Sequence, residues 1–120
     1  MDRETFLNEI FIMKKPLESY EKDAIVDNNL NECKKVTGDY NQILSICMEE
    51  NAELSVAVSK GIRNKLDKVN LLEEMADVFI CLKELQAIYN IDNISLDKAI
   101  SVKLKRLQDK INKGDIYTNG

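Results

Sequence analysis

Residues 46–85 read ICMEENAELSVAVSKGIRNKLDKVNLLEEMADVFICLKEL, and the fold of the chain turns on them. They hold two helical segments joined by a short basic turn, each carrying an acidic cluster. The first cluster is Glu49, Glu50, Asn51, Ala52, Glu53; the second is Glu73, Glu74, Met75, Ala76, Asp77. Residues three and four apart share one face of an α-helix, so Glu50 neighbours Glu53, and Glu74 neighbours Asp77. Two such pairs facing each other would hold a divalent metal.

Acidic residues on helices ordinarily form a solvated face. The apolar pattern here argues otherwise. Ile43, Ile46, Cys47, Leu54, Ala57 and Val58 form the apolar stripe of the first helix, and Glu50 falls inside it. In the second helix Val78, Phe79, Ile80, Cys81 and Leu82 run without a polar break directly after Asp77, which predicts burial on most sides. Buried carboxylates are costly unless they are paired or bind a cation. A salt bridge to Lys or Arg is the simpler solution, yet the positions four residues on are Leu54, Ala57, Val78 and Cys81. From spacing and burial alone, a metal site and an ordinary charged helix pair both stand.

Working outward, a length of 120 residues suits one domain with a single core. With 44% hydrophobic and 32% charged residues, one proline and four glycines, the composition predicts a helical protein with short loops rather than disorder. The net charge of −4 gives no general attraction to nucleic acid or anionic lipid, so an anionic substrate would need local positive charge. The absence of histidine excludes imidazole catalysis, His-ligated zinc and the ExxH di-iron bundle. Ligation by carboxylate oxygens alone favours Mg2+, with Mn2+ as the alternative. Cys33, Cys47 and Cys81 are odd in number, lack CxxC spacing, and read as reduced core residues of a cytoplasmic protein.

The N-terminal residues 1–15 predict a short amphipathic helix, with neither a signal peptide nor a membrane span. Pro16 can open a second helix over residues 16–27, with Leu17, Tyr20, Ala24 and Ile25 on its inner side, and residues 28–38 read as a loop or frayed helix. Asp39 and Gln42 suggest a capping pattern for a helix over residues 40–60 that Gly61 ends in a left-handed conformation. Lys60, Arg63 and Lys65 lie at the turn and read as solvated charges near a prospective substrate. Asp67 caps the next helix, residues 68–90, whose apolar positions span more than one face as in a central bundle helix. A short antiparallel return brings the acidic positions together. Ser95 caps a last helix over residues 96–113, ended by Gly114, with Leu96, Ile100, Leu104, Leu107 and Ile111 inward and lysines outward. The expectation is an all-α, antiparallel four-helix-type bundle with an extra N-terminal helical segment over residues 1–37 on the same core, and a flexible tail over residues 115–120.

The order Glu49-Glu50-x-x-Glu53, roughly twenty residues, then Glu74-x-x-Asp77 resembles the MazG-like nucleotide pyrophosphohydrolases of the all-α NTP pyrophosphatase superfamily. Gly38, Gln42 and Leu54 around the first cluster, and Val78, Phe79 and Ile80 after the second, agree with it. The likeness covers residues 38–114, which would form the MazG-like core. It implies Mg2+-dependent hydrolysis of a (deoxy)nucleoside triphosphate to the monophosphate and pyrophosphate by in-line attack at the α-phosphorus. Glu50, Glu53, Glu74 and Asp77 would be the metal ligands. Glu49 and Glu50 would be the catalytic carboxylates, Glu49 aligning the attacking water or binding a second metal, while Glu73 reads as surface. Lys103, Arg106 and Lys110 on the last helix would approach the phosphates. The resemblance also implies a homodimer or homotetramer engaged in house-cleaning or nucleotide-pool control. The competing readings are a non-catalytic helical adaptor and a narrower dUTPase- or dCTPase-like member of the superfamily.

Overall fold

The computed structural model describes residues 2–117 and is all-helical. Its elements are α1 (Arg3–Ile12), α2 (Ser19–Thr37), α3 (Asn41–Ile62), α4 (Lys68–Tyr89) and α5 (Asn93–Asn112), with no strand among the described residues. The chain forms two compact units, Met1–Tyr89 and Asn90–Gly120. In the first, α4 packs against α1, α2 and α3, and α2 also meets α3, so the N-terminal helices belong with the α3–α4 pair in one helical bundle. The division after Tyr89 falls inside the span 38–114 that the sequence groups as one core. Among the described residues of the second unit α5 is the one helix, with Leu96, Ala99, Ile100, Leu104 and Leu107 along one face. Of the tail expected over residues 115–120, residues 118–120 lie outside the described part.

The α3–α4 pair is the centre of the first unit. Only residues 63–67 connect the two helices, so the chain must reverse and the helices run antiparallel. Buried Cys47 meets buried Cys81; moving up α3 by a turn brings Glu50 opposite Asp77, and a further turn brings Glu53 opposite Glu74. Cys47, Cys81 and Ile43 join Val26 and Leu30 of α2 in the buried core, flanked by Cys33, Tyr40, Ala87 and Ile88. Asp67 caps α4 as expected, accepting from the Val69 and Asn70 amides at 3.0 and 3.2 Å. It also pairs with Arg3 at 2.6 Å, which ties α1 to the start of α4.

Several local expectations give way. Residues 28–37 continue α2 as regular helix because Val26, Leu30 and Cys33 extend an inward stripe past the polar asparagines. The inner face is therefore set by Val26 and Leu30, while Leu17, Tyr20 and Ile25 are exposed. Pro16 precedes the helix rather than opening it; Glu21 accepts from the Glu18 amide at 3.0 Å and fixes the start at Ser19. α1 is helical, but Leu7, Ile10, Phe11 and Ile12 are all exposed and it buries no residue. Asp39 accepts from the Asn41 amide at 3.0 Å, without a reciprocal bond from Gln42 among the described residues. Gly61 lies within α3, and Asn64 takes the left-handed turn at φ 59°. The α5 cap is Asp92, whose carboxylate accepts from the Ser95 amide at 2.6 Å, so that Ser95 is inside the helix. At α5 the short Asp92 carboxylate, three residues before Ser95, takes the exposed amides of the first turn.

Gly38 ends α2 in the left-handed region at φ 86°, donating its amide to the Lys34 carbonyl at 2.8 Å. A side chain there meets no neighbour, so the cost of adding one is conformational. Gly38→Ala is expected to lower stability by about 1 kcal/mol, read from the midpoint of urea unfolding, without changing helix content.

Candidate metal centre

The antiparallel register brings one carboxylate oxygen each from Glu50 of α3 and Glu74 and Asp77 of α4 to within 4.8 Å of one another. Helical spacing explains the convergence. Glu50 occupies the α3 face that carries buried Cys47 one turn earlier and half-buried Leu54 one turn later, so it points at α4 rather than at water. Glu74 and Asp77, three apart, present adjacent oxygens from the opposite helix.

Burial holds the acids in an unfavourable state. The Oε2 atoms of Glu50 and Glu74 are sealed from solvent and receive no hydrogen bond. Burial pushes the Glu50 carboxyl up to about 7, helped by the negative charges of Asp77, Glu53 and Glu74. The Glu74 carboxyl is raised for the same reasons, burial first and then Glu53, Asp77 and Glu73. The ion pairs among the described residues, Arg3–Asp67 and Lys83–Asp23, use other carboxylates. A sealed carboxylate oxygen without a donor costs about 1–3 kcal/mol or more. Its natural complement is a cation. An all-oxygen donor set fits Mg2+ or Mn2+ in hardness and charge.

The other expected site residues are placed as follows. Glu53 is exposed but lies against Glu74 and raises its pKa, at the open edge of the group. Glu49 is exposed and outside the converging trio. Glu73, expected at the surface, is half-buried. Lys103, Arg106 and Lys110 are exposed on α5 in the second unit. Arg63 at the turn donates to the carbonyl and hydroxyl of Ser59, both at 3.4 Å, and so folds back along its own helix. Asn70 was missed: its Nδ2 stands 3.5 Å from Glu74 Oε1, leaving Oε2 to face the other acids. The signal was an amide side chain four residues before Glu74 on the same helix face.

Fold and site together define a helical protein with a convergent, partly sealed carboxylate trio between two antiparallel helices. No family model matches the chain, and no match was found among the curated proteins or the solved structures.

Proposed function

We propose that the chain is a metal-dependent nucleotide pyrophosphohydrolase of the MazG-like kind, converting (deoxy)nucleoside triphosphates to monophosphates and pyrophosphate. The observation that carries this reading is the pair of sealed, donorless oxygens on Glu50 and Glu74 beside Asp77. Acids arranged in this way oppose folding unless an ion is held between them. Glu50, Glu74 and Asp77, joined by Glu53 at the open edge, would hold Mg2+. Such an ion, when held there, would supply positive charge that stabilises a phosphate leaving group. Glu49, exposed and next to Glu50, remains free to orient the attacking water.

The same reading makes the protein a homodimer or homotetramer. Its support is the exposed apolar surface of α3 and α4: Met48, Val56 and Ile62 on one, Phe79, Ile80 and Leu82 on the other. The sequence predicted burial for the run from Val78 to Leu82, but of these five residues only Cys81 is buried, because α4 beside its three neighbours leaves one side open. Cytoplasmic location is supported by three free cysteines. Among the described residues no helix is long and apolar enough to cross a membrane.

The test is pyrophosphate release from a panel of ribo- and deoxynucleoside triphosphates with and without Mg2+. Pyrophosphate appearing in step with monophosphate, and only with metal, is the expected result. Release from one base alone would identify the narrower dUTPase- or dCTPase-like activity. Free phosphate as the product, or no turnover with either Mg2+ or Mn2+, would remove the proposal.

A further inference from the structure

One helical turn from the carboxylate trio, the same α3–α4 interface carries a second group of donor atoms. The Sγ atoms of Cys47 and Cys81 and a carboxylate oxygen of Glu84 all lie within 4.8 Å of one another. Both cysteines are almost wholly buried, at 4% and 3% exposure, while Glu84 is half-buried. We propose that Cys47, Cys81 and Glu84 form a separate site for a thiophilic divalent cation of the zinc class.

Geometry and charge both argue for it. Tetrahedral zinc with sulfur at about 2.3 Å and oxygen at about 2.0–2.2 Å has ligand atoms roughly 3.5–3.8 Å apart, a small contraction from the spacing found. The Cys47 thiol has a long contact, 4.0 Å, to the Cys81 carbonyl and a thiol–thiol hydrogen bond with Cys81, both weak, so little is lost when it turns to an ion. Burial first, and after it the negative charge of Glu84 and Glu50, pushes both thiols up, and a cation between them would offset that charge. The neighbouring lysine in sequence, Lys83, is engaged elsewhere, pairing with Asp23 of α2 at 3.1 Å. Burial raises the Glu84 carboxyl.

The donor sets sort the two sites by hardness. Oxygens alone at Glu50, Glu74 and Asp77 suit magnesium, whereas two sulfurs and one oxygen suit zinc, cobalt or cadmium. Binding exchanges the two thiol protons for the ion, leaving thiolates on the metal and the protons in solvent. Three protein ligands leave a fourth position for water. An ion held there pins α3 to α4 a turn from the acids and fixes the register on which their convergence depends.

The probe is Co2+, added to the reduced full-length chain with Mg2+ in excess so that the oxygen site does not compete. A Cys33→Ser background removes the remaining thiol, which lies on α2. The expected result is a near-ultraviolet sulfur-to-cobalt charge-transfer band that saturates at one ion per chain and is displaced by zinc. Cys47→Ser and Cys81→Ser should each lose the band, and Glu84→Gln should weaken binding tenfold or more. Asp77→Asn should keep it, which separates this site from the proposed magnesium site and from catalysis. No band in the Cys33→Ser chain overturns the proposal whether or not the other variants fold. A band that survives loss of both Cys47 and Cys81 overturns it as well, and unchanged binding in Glu84→Gln removes the carboxylate from the ligand set.

Discussion

Glu50→Gln is expected to abolish Mg2+-dependent pyrophosphate release while making the metal-free protein more stable at pH 8. The two effects have one cause. Glu50 places a sealed, donorless oxygen among Asp77, Glu53 and Glu74, so its charge is needed to hold the ion and is unfavourable when the ion is absent. Glutamine keeps the shape and removes the charge. Disturbing even the outer partners of a bound metal costs 10–100-fold, so losing a direct ligand should cost at least about 100-fold in turnover. Stability of the metal-free chain should rise by about 1–3 kcal/mol at pH 8 and be nearly unchanged at pH 5, where Glu50 is already protonated. Steady-state turnover and urea unfolding at the two pH values decide the matter. Turnover equal to the parent chain's, or a variant less stable at pH 8, sinks the assignment of Glu50. An exposed surface glutamate would show neither effect.

The second large effect concerns pH and metal together. The folded Glu50 carboxyl titrates near 7, against an ordinary value of 4.5 in the unfolded chain. Between those values the folded state binds more protons than the unfolded state, so stability falls as pH rises. The contribution is fully present below about pH 4.5, drains away through pH 7, and is gone by about pH 8. At 1.36 kcal/mol for each pH unit of displacement it amounts to about 3 kcal/mol at most, lessened by solvent on the open side of the group. Glu74, raised in the same sense, adds to the fall. Mg2+ binds the ionised acids and should reverse the loss, raising Tm at pH 8 by roughly 10 °C and at pH 5 by much less. Thermal unfolding with and without Mg2+ across this range is the measurement. A Tm insensitive to Mg2+ at pH 8, or raised equally at both ends, would contradict a metal centre built from these acids.

Much of this arrangement is legible in the order of residues. The spacing of Ile43, Cys47, Leu54 and Ala57 sets the inward face of α3, and Glu50 stands out because it interrupts that face. Asp67 as a cap and a short turn before it are enough to imply an antiparallel partner. Helix limits were less legible. Gly61, Ser95 and Pro16 carry the usual signals for ends, but Asn64, Asp92 and Glu18 with Glu21 supplied competing ones a few residues away. Local propensities differ there by a kcal/mol or less, and packing selects among them.

The sequence by itself determined the all-α class, the pairing of α3 with α4 and the acids that can meet between them, because 3.6-residue periodicity and a five-residue connection leave few alternatives. Only the tertiary structure decided the rest: that α2 runs unbroken to Gly38, that Glu50 and Glu74 each seal one oxygen without a donor, and that Cys47 and Cys81 come together with Glu84. Those facts depend on the register and rotation of one helix against another. Register and rotation are fixed by the summed packing of side chains distant in sequence, which no single stretch of residues encodes.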